Sequence, residues 1–212
     1  MQTRAWDIGT DIGGTFTDII AVRNGSHETR IAKVPSRPDA PVRAMMEALA
    51  AVGLGPDDVR RFVHGTTRVT NALVEERLPK VALVATAGFE DVLEIARYRR
   101  QELYRLDIPP KAPPLVPPSL CFGIVERLDH TGRVLTPLVD SEIERLVAWL
   151  TANGVQSVAI CLLHSYANPD HEKRLAERLA GVVPHVCVSH EINPEAREYE
   201  RAASTAFNAA AM

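Results

Sequence analysis

Two adjacent glycines, Gly13 and Gly14, interrupt an apolar alternation near the start of the chain and turn it back on itself. Trp6-Asp7-Ile8-Gly9-Thr10 leads in and Ile19-Ile20-Ala21-Val22 leads out, so Asp11–Asp18 reads as strand, tight turn, strand. Paired glycines let backbone N–H groups approach an anion without side-chain obstruction, forming a concave nest suited to phosphate. Asp11, just before the turn, is placed to hold a hydrated Mg²⁺, which keeps several waters and takes one or two carboxylates. Thr15 and Thr17 alternate onto one face and are expected to offer hydroxyls to the same phosphate. A plain hairpin also uses Gly-Gly, and the turn taken by itself leaves both readings open.

The next elements restrict the fold class. Thr29–Val34 is a third strand, reached through the turn pair Asn24-Gly25, and Pro41–Val52 is a helix with Gly53 just past its end. Arg61-Phe62-Val63-His64 is a short strand opening into Gly65-Thr66-Thr67, with a helix from about Thr70 to Glu76. Val81–Ala85 is a short apolar run of the buried parallel type, and an amphipathic helix through Phe89, Val92, Leu93 and Ile95 follows Gly88. The proline-rich stretch from Ile108 to Pro118 excludes helix and central strand and reads as an extended crossing to a subdomain. Cys121–Leu128 and Arg133–Leu138 then predict a hairpin around Asp129-His130-Thr131-Gly132. Two helix–strand units close the chain, Ser141–Asn153 into Val155–Leu163 and Asp170–Ala180 into His185–Ser189. Three antiparallel strands followed by alternating helices and strands predict an α/β fold with a mixed sheet. The expected division is 1–107, 108–190 and 191–212.

Composition narrows the chemistry. A formal charge of -3, with no basic tract, argues against nucleic acid as the main partner. Cys121, Cys161 and Cys187 are too widely spaced for a disulfide framework or a zinc ligand set. No signal peptide or membrane-length apolar run is present, so the expected compartment is the cytoplasm. The last 18 residues, Glu195 to Met212, form an alanine-rich helix that stops without a cap, which suggests that the chain belongs to something longer.

Three further runs carry polar residues in suggestive places. His64-Gly65-Thr66-Thr67-Arg68-Val69-Thr70-Asn71 sets hydroxyls where a strand empties into a helix, a common place for ligands in α/β proteins. His64 suits a proton carrier there, although Thr67 or Thr70 as a helix cap beside an ordinary histidine is the simpler account. The arginines Arg97, Arg99 and Arg100 are able to receive a carboxylate or phosphate, and equally form a solvated helix face. In Leu162-Leu163-His164-Ser165-Tyr166-Ala167-Asn168-Pro169, followed by His171-Glu172, the Asn-Pro pair is helix-start chemistry. The turn between His164 and His171 breaks the common face a metal pair needs, and adjacent His164 and Ser165 point to opposite sides.

These runs together resemble the N-terminal region of the hydantoinase A/5-oxoprolinase family. Six elements match in order: Asp11–Asp18, His64–Leu73, Gly88–Arg97, Glu126-Arg127-Leu128, Leu162–Pro169 with His171-Glu172, and Glu198-Tyr199-Glu200-Arg201. The Gly-Gly-Thr turn is shared with sugar kinases and is weak alone; six elements in register are specific. The resemblance implies a ribonuclease H-like (actin-like ATPase) lobe with a smaller inserted α/β subdomain. It implies ATP and Mg²⁺ as cofactors and ATP-dependent hydrolysis of a cyclic amide, such as a hydantoin or 5-oxoproline, through a phosphorylated amide. By the same resemblance Asp11, Gly13, Gly14, Thr15 and Thr17 form the first phosphate and Mg²⁺ motif. His64, Thr66, Thr67 and Asn71 form the facing part of the cleft. Expected partners are a B-type hydantoinase subunit or a fused C-terminal lobe, because the chain shows neither a second phosphate loop nor an adenosine pocket. The alternatives are the ATP-binding subunit of a ketone carboxylase and a non-catalytic nucleotide-binding module.

Overall fold

A computed structural model describes residues 5–37, 39–74, 78–98, 104, 107 and 113–212. The fold is α/β, and the chain divides into two compact units, Met1–Arg77 and Leu78–Met212. The expected boundaries after residues 107 and 190 do not coincide with this division.

The first unit is built on the turn. β1 (Trp6–Ile12) pairs antiparallel with β2 (Phe16–Arg23), and β2 with β3 (Thr29–Pro35); β4 (Val59–Thr66) joins β1 in parallel, giving the order β3-β2-β1-β4. The sheet is mixed. Strand alternation sends Trp6, Ile8, Ile19 and Ala21 to one face, where they pack on Ala48 and Leu49 of α1 (Pro41–Ala51) and on Val52 and Leu54 beyond it. Pro41 starts α1 at a position whose N–H needs no partner, and Gly53 follows its end with φ of 71°. Arg30 secures that end: its Nη1 donates to the Val52 carbonyl at 3.0 Å while its guanidinium carbon lies 4.4 Å from the Trp6 ring centre. The opposite face carries Asp7, Gly9 and Asp11 with Ile20, Val22, Ile31 and Val63, and these four apolar side chains are exposed. α2 (Arg68–Val74) follows β4, and residues 75–76 of the expected helix lie outside the described residues.

In the second unit β5 (Val81–Thr86) is buried throughout, as its unbroken apolar run predicts. It pairs in parallel with β6 (Cys121–Ile124) and β9 (Ser157–Cys161), and β9 pairs in parallel with β10 (His185–Val188). α4 (Asp140–Ala152) and α5 (Asp170–Leu179) cover one face through Ile143, Leu146, Leu150, Leu175 and Leu179. The other face is covered by α7 (Glu198–Ala211), whose Ala202, Ala206, Ala209 and Ala210 pack with Leu83, Ala159 and Cys187. Small side chains let helix and sheet approach closely, which gives the alanine-rich end a packing role inside this unit.

Several expected elements change. The run Cys121–Leu128 is not one strand: Cys121–Ile124 joins the parallel sheet as β6, and β7 (Arg127–Leu128) pairs with β8 (Val134–Thr136). Glu126 lies at the break, its carboxylate turned inward to Thr86 and His171. The helix expected after Gly88 is only the short α3 (Val92–Ile95). A four-residue α6 (Ser189–Ile192) follows β10. Residues 108–112 of the proline-rich crossing and 99–103 of the arginine run lie outside the described residues.

Candidate functional site

The turn between β1 and β2 is closed by Gly13, whose N–H donates to the Phe16 carbonyl at 2.9 Å. Ser36, just after β3, fixes it from behind. Its N–H donates to the Thr15 carbonyl at 2.9 Å, its hydroxyl donates to the Gly13 carbonyl at 2.8 Å, and the same hydroxyl lies 3.0 Å from that of Thr17. Thr17 is buried, whereas Thr15 is exposed, so the expected shared hydroxyl face does not form. Strand alternation places residue 17 with Ile19 and Ala21 on the α1 side, and Thr17 supports the turn from inside. Sequence reasoning missed Ser36; it is 19 residues from Thr17 and carries no local signal.

Neither glycine occupies the left-handed region, so the turn does not require them for positive φ. A Cβ on Gly13 would meet the Phe16 carbonyl oxygen at 3.1 Å, a tight approach to backbone. A Cβ on Gly14 would meet only the Asn71 amide nitrogen, at 3.6 Å, an ordinary contact. Gly14 is therefore not demanded by the fold. Among the described residues the N–H groups of Gly14 and Thr15 have no backbone partner.

The second motif meets this turn. The Thr66 hydroxyl donates to the Ile12 carbonyl at 3.2 Å, and the Thr67 N–H reaches the same oxygen at 3.4 Å. The Asn71 side-chain amide donates to the Thr67 hydroxyl at 3.4 Å and stands beside Gly14. Gly13, Gly14, Thr66, Thr67 and Asn71 are thus brought together at the turn. His64 departs from this group. In parallel register it lies beside Thr10, with Nδ1 3.1 Å from the Thr10 hydroxyl, while Asp11 lies beside Gly65 on the opposite face. Alternation on β4 therefore corrects the expectation that His64 shares the cleft with Asp11.

Asp11 is exposed, and its carboxylate has no hydrogen-bond or ion-pair partner among the described residues. Across the antiparallel pair it faces Asp18, so two carboxylates oppose one another, an unfavourable arrangement without a cation. Lys33 neutralises only Asp18, at 2.8 Å. An unpaired carboxylate at the strand end suits a hydrated Mg²⁺, and the turn N–H groups without a backbone partner among the described residues suit a phosphate.

The fourth motif builds a buried network in the second unit. Glu172 on α5 accepts from the Leu162 N–H at 2.9 Å, the Ser189 hydroxyl at 2.6 Å, and the N–H and Nδ1 of His190 at 3.0 and 2.7 Å. Burial by itself would raise its pKa; the hydrogen bonds from His190, Ser189 and Leu162 outweigh that and hold the carboxyl below its usual range. Arg201 on α7, also buried, donates to the Leu162 carbonyl and to the Ser165 and Ser189 hydroxyls, the last two at 2.7 and 2.8 Å. It lies 3.9 Å from Glu172. Among the described residues no group of three or more His, Cys, Asp or Glu side chains is placed to hold a metal, and His171 bonds Glu126 at 2.7 Å instead.

Comparison with known proteins identifies the family. The sequence profile of the "Hydantoinase/oxoprolinase N-terminal region" matches residues 7–183. The chain belongs to the hydantoinase/oxoprolinase N-terminal family. A relative of similar sequence is an uncharacterized protein of Methanocaldococcus jannaschii, 39% identical over 95% of this chain and 30% of its own. The caprolactamase subunit alpha of Pseudomonas jessenii is 34% identical over 99% of this chain and 32% of its own. The crystal structure of that organism's ATP-dependent caprolactamase superposes with a TM-score of 0.77 over 96% of this chain and 31% of the other. Nucleotide-free acetone carboxylase, described for ATP-dependent acetone carboxylation, superposes with a TM-score of 0.83 at 26% identity, over 98% of this chain and 32% of the other. The fold matches the corresponding part of both structures, consistent with an actin-like ATPase fold, and the chain spans about a third of the length of these relatives. Among the described residues no helix is long and apolar enough to cross a membrane.

Proposed function

We propose that the first unit supplies one phosphate-binding side of an ATP site, in a full-length enzyme that uses ATP to open a cyclic amide. The observation that carries this reading is Gly14: the fold tolerates a side chain there, yet the position is glycine next to Asn71, and among the described residues the N–H groups of Gly14 and Thr15 have no backbone partner. Gly13, Gly14 and Thr15 would receive phosphate oxygens through backbone N–H groups and the Thr15 hydroxyl, with Thr17 and Ser36 holding the turn's shape. Thr66, Thr67 and Asn71 would close the near side of the site, and His64 would position Thr10 on β1. Asp11 would hold Mg²⁺ through its waters; the ion, when bound, spreads the charge of the transferred phosphoryl group.

In the reaction the terminal phosphoryl of ATP passes to the amide oxygen and ADP leaves. Water adds to the activated carbon, the C–N bond breaks, the ring nitrogen leaves as an amine with a proton, and phosphate is released. ATP use is supported by the two ATP-dependent enzymes whose structures match, and a partner subunit by the caprolactamase relative's designation as subunit alpha. The acetone carboxylase match, at the higher TM-score, keeps ketone carboxylation as the second reading. Incubating the full-length protein and its partner subunit with hydantoin, 5-oxoproline, caprolactam, or acetone plus bicarbonate separates them. One ADP formed per ring opened is the expected result; bicarbonate-dependent carboxylation without ring opening would replace the first reading with the second.

Gly14→Ala offers a finer test. Its stability is expected to stay within about 1 kcal/mol of the parent, since the Cβ meets no backbone and a reduced unfolded-state entropy favours alanine. Magnesium-ATP affinity is expected to fall roughly tenfold or more, because the methyl group occupies the space through which phosphate reaches the backbone. Calorimetry and thermal unfolding measure both. A stability loss with unchanged affinity would favour the plain hairpin.

A further inference from the structure

The four parallel strands of the second unit all end at one edge, where β5 gives way to residues 87–98, β6 to 125–133, β9 to 162–168 and β10 to Ser189–Ile192. The carboxyl edge of a parallel sheet is where α/β proteins place ligands. Three non-glycine residues have left-handed backbone among the described residues, Ala96, Tyr98 and His164, and all three lie in these loops. Such strain persists where surrounding structure holds it, and it concentrates at ligand sites.

His164 is the best supported of the three. Its φ is 59°, and the residues on either side are gripped from beneath: Leu162 by Glu172 and Arg201, Leu163 by the Thr86 hydroxyl at 3.0 Å, and Ser165 by Arg201. A buried carboxylate and a buried guanidinium thus fix a turn in which the one half-exposed, strained side chain is an imidazole. Tyr166 orients that ring edge-on, with centroids 5.9 Å apart and its hydroxyl 3.3 Å from Nδ1. Nε2 has no partner among the described residues.

The neighbouring loop supplies positive charge. Thr86 bonds Glu126 as well as Leu163, and Asn168 donates to the Gly132 carbonyl at 2.9 Å, so residues 126–132 lie against 163–168. Arg127 stacks over Phe89, its guanidinium carbon 5.2 Å from the ring centre, and has no carboxylate partner among the described residues. In the same unit Arg97, Arg133, Arg145, Arg174, Arg178 and Arg201 each have one within 4 Å. A guanidinium stacked on an aromatic face keeps its N–H edges free for a forked contact with an oxyanion. Desolvation, followed by the charges of Arg127, His130 and Arg201, lowers the His164 pKa; only Asp129 opposes them, and it is held by Thr131 and Arg133.

We propose that His164, Tyr166 and Arg127 form an oxyanion site at the carboxyl edge of the second unit's sheet, receiving a carboxylate or phosphate group of a small molecule. It uses no residue of the first unit and stands independently of the nucleotide reading. The test is histidine-detected NMR of the 212-residue chain titrated with acetate, inorganic phosphate and neutral acetamide. Acetate or phosphate is expected to move the His164 resonance and shift its titration midpoint to higher pH, while acetamide does not. Response to acetate alone assigns a carboxylate, and response to phosphate alone assigns a phosphate group. Arg127→Gln is expected to weaken binding about tenfold or more. His164→Gly, followed through the backbone amide resonance of Tyr166, should do the same with unchanged or raised Tm, because glycine takes a positive φ without strain. An equal response to acetamide, no response at His164, or unchanged affinity in a folded His164→Gly variant would overturn the proposal.

Discussion

Asp11→Ala in the full-length protein is expected to lower magnesium-ATP turnover by about a thousandfold, roughly 4 kcal/mol of transition-state stabilisation. Its stability is expected to remain within about 0.5 kcal/mol of the parent. The two expectations have one origin. Asp11 is exposed, its carboxylate bonds no described residue and it faces another carboxylate across the strand pair, so the folded state gains nothing from its charge. Removing one of two opposed carboxylates relieves repulsion instead. Steady-state ADP release at saturating Mg²⁺, with unfolding followed in parallel, separates the effects. Turnover close to the parent would remove Asp11 from the site.

The largest stability effect is expected from Glu172→Gln. Four donors converge on its carboxylate and Arg201 lies 3.9 Å away, all in the interior of the second unit. Glutamine keeps the shape, but its amide must point a donor at other donors, and Arg201 loses its counter-charge. Breaking a buried pair by removing one partner costs about 3–5 kcal/mol. For a unit of this size that corresponds to a fall in Tm of roughly 10–20 °C. The pH dependence carries a second signature. A carboxyl whose folded pKa is depressed contributes stability that is fully present above its unfolded value of 4.5 and is lost as pH falls through the lower folded value. The parent should therefore lose stability in acid more steeply than Glu172→Gln. Denaturation curves between about pH 3 and pH 7 test this, and parallel curves for the two proteins would show that Glu172 is not ionised in the folded state.

How far the sequence could be read depended on distance along the chain. The strands flanking Gly13-Gly14, α1 with Pro41 and Gly53 at its ends, and the buried run Val81–Thr86 are written in local periodicity and turn chemistry, and they form as expected. The approach of Thr66, Thr67 and Asn71 to the turn was legible only as two motifs, because the parallel pairing of β1 with β4 brings together residues more than 50 apart. Ser36 and Thr17 show the limit. Serine after a strand looks like any loop residue, and only the folded sheet shows that it holds the turn. The opposite facing of His64 and Asp11 depended on register, which one residue of slip would reverse. Glu172 was hidden differently. An acid in the first turn of a helix is ordinary dipole chemistry, and its burial follows from His190 and Arg201, 18 and 29 positions away.

Hydrogen–deuterium exchange of the full-length protein with and without magnesium-ATP tests the central claim most directly. The free N–H groups of Gly14 and Thr15 should exchange quickly in the nucleotide-free protein and become protected when phosphate occupies the turn. The peptides covering Gly13–Thr15 and Thr66–Asn71 are expected to gain protection together, and Gly14→Ala to lose it. Nucleotide-dependent protection elsewhere in the protein, with both of these segments unchanged, would contradict the account.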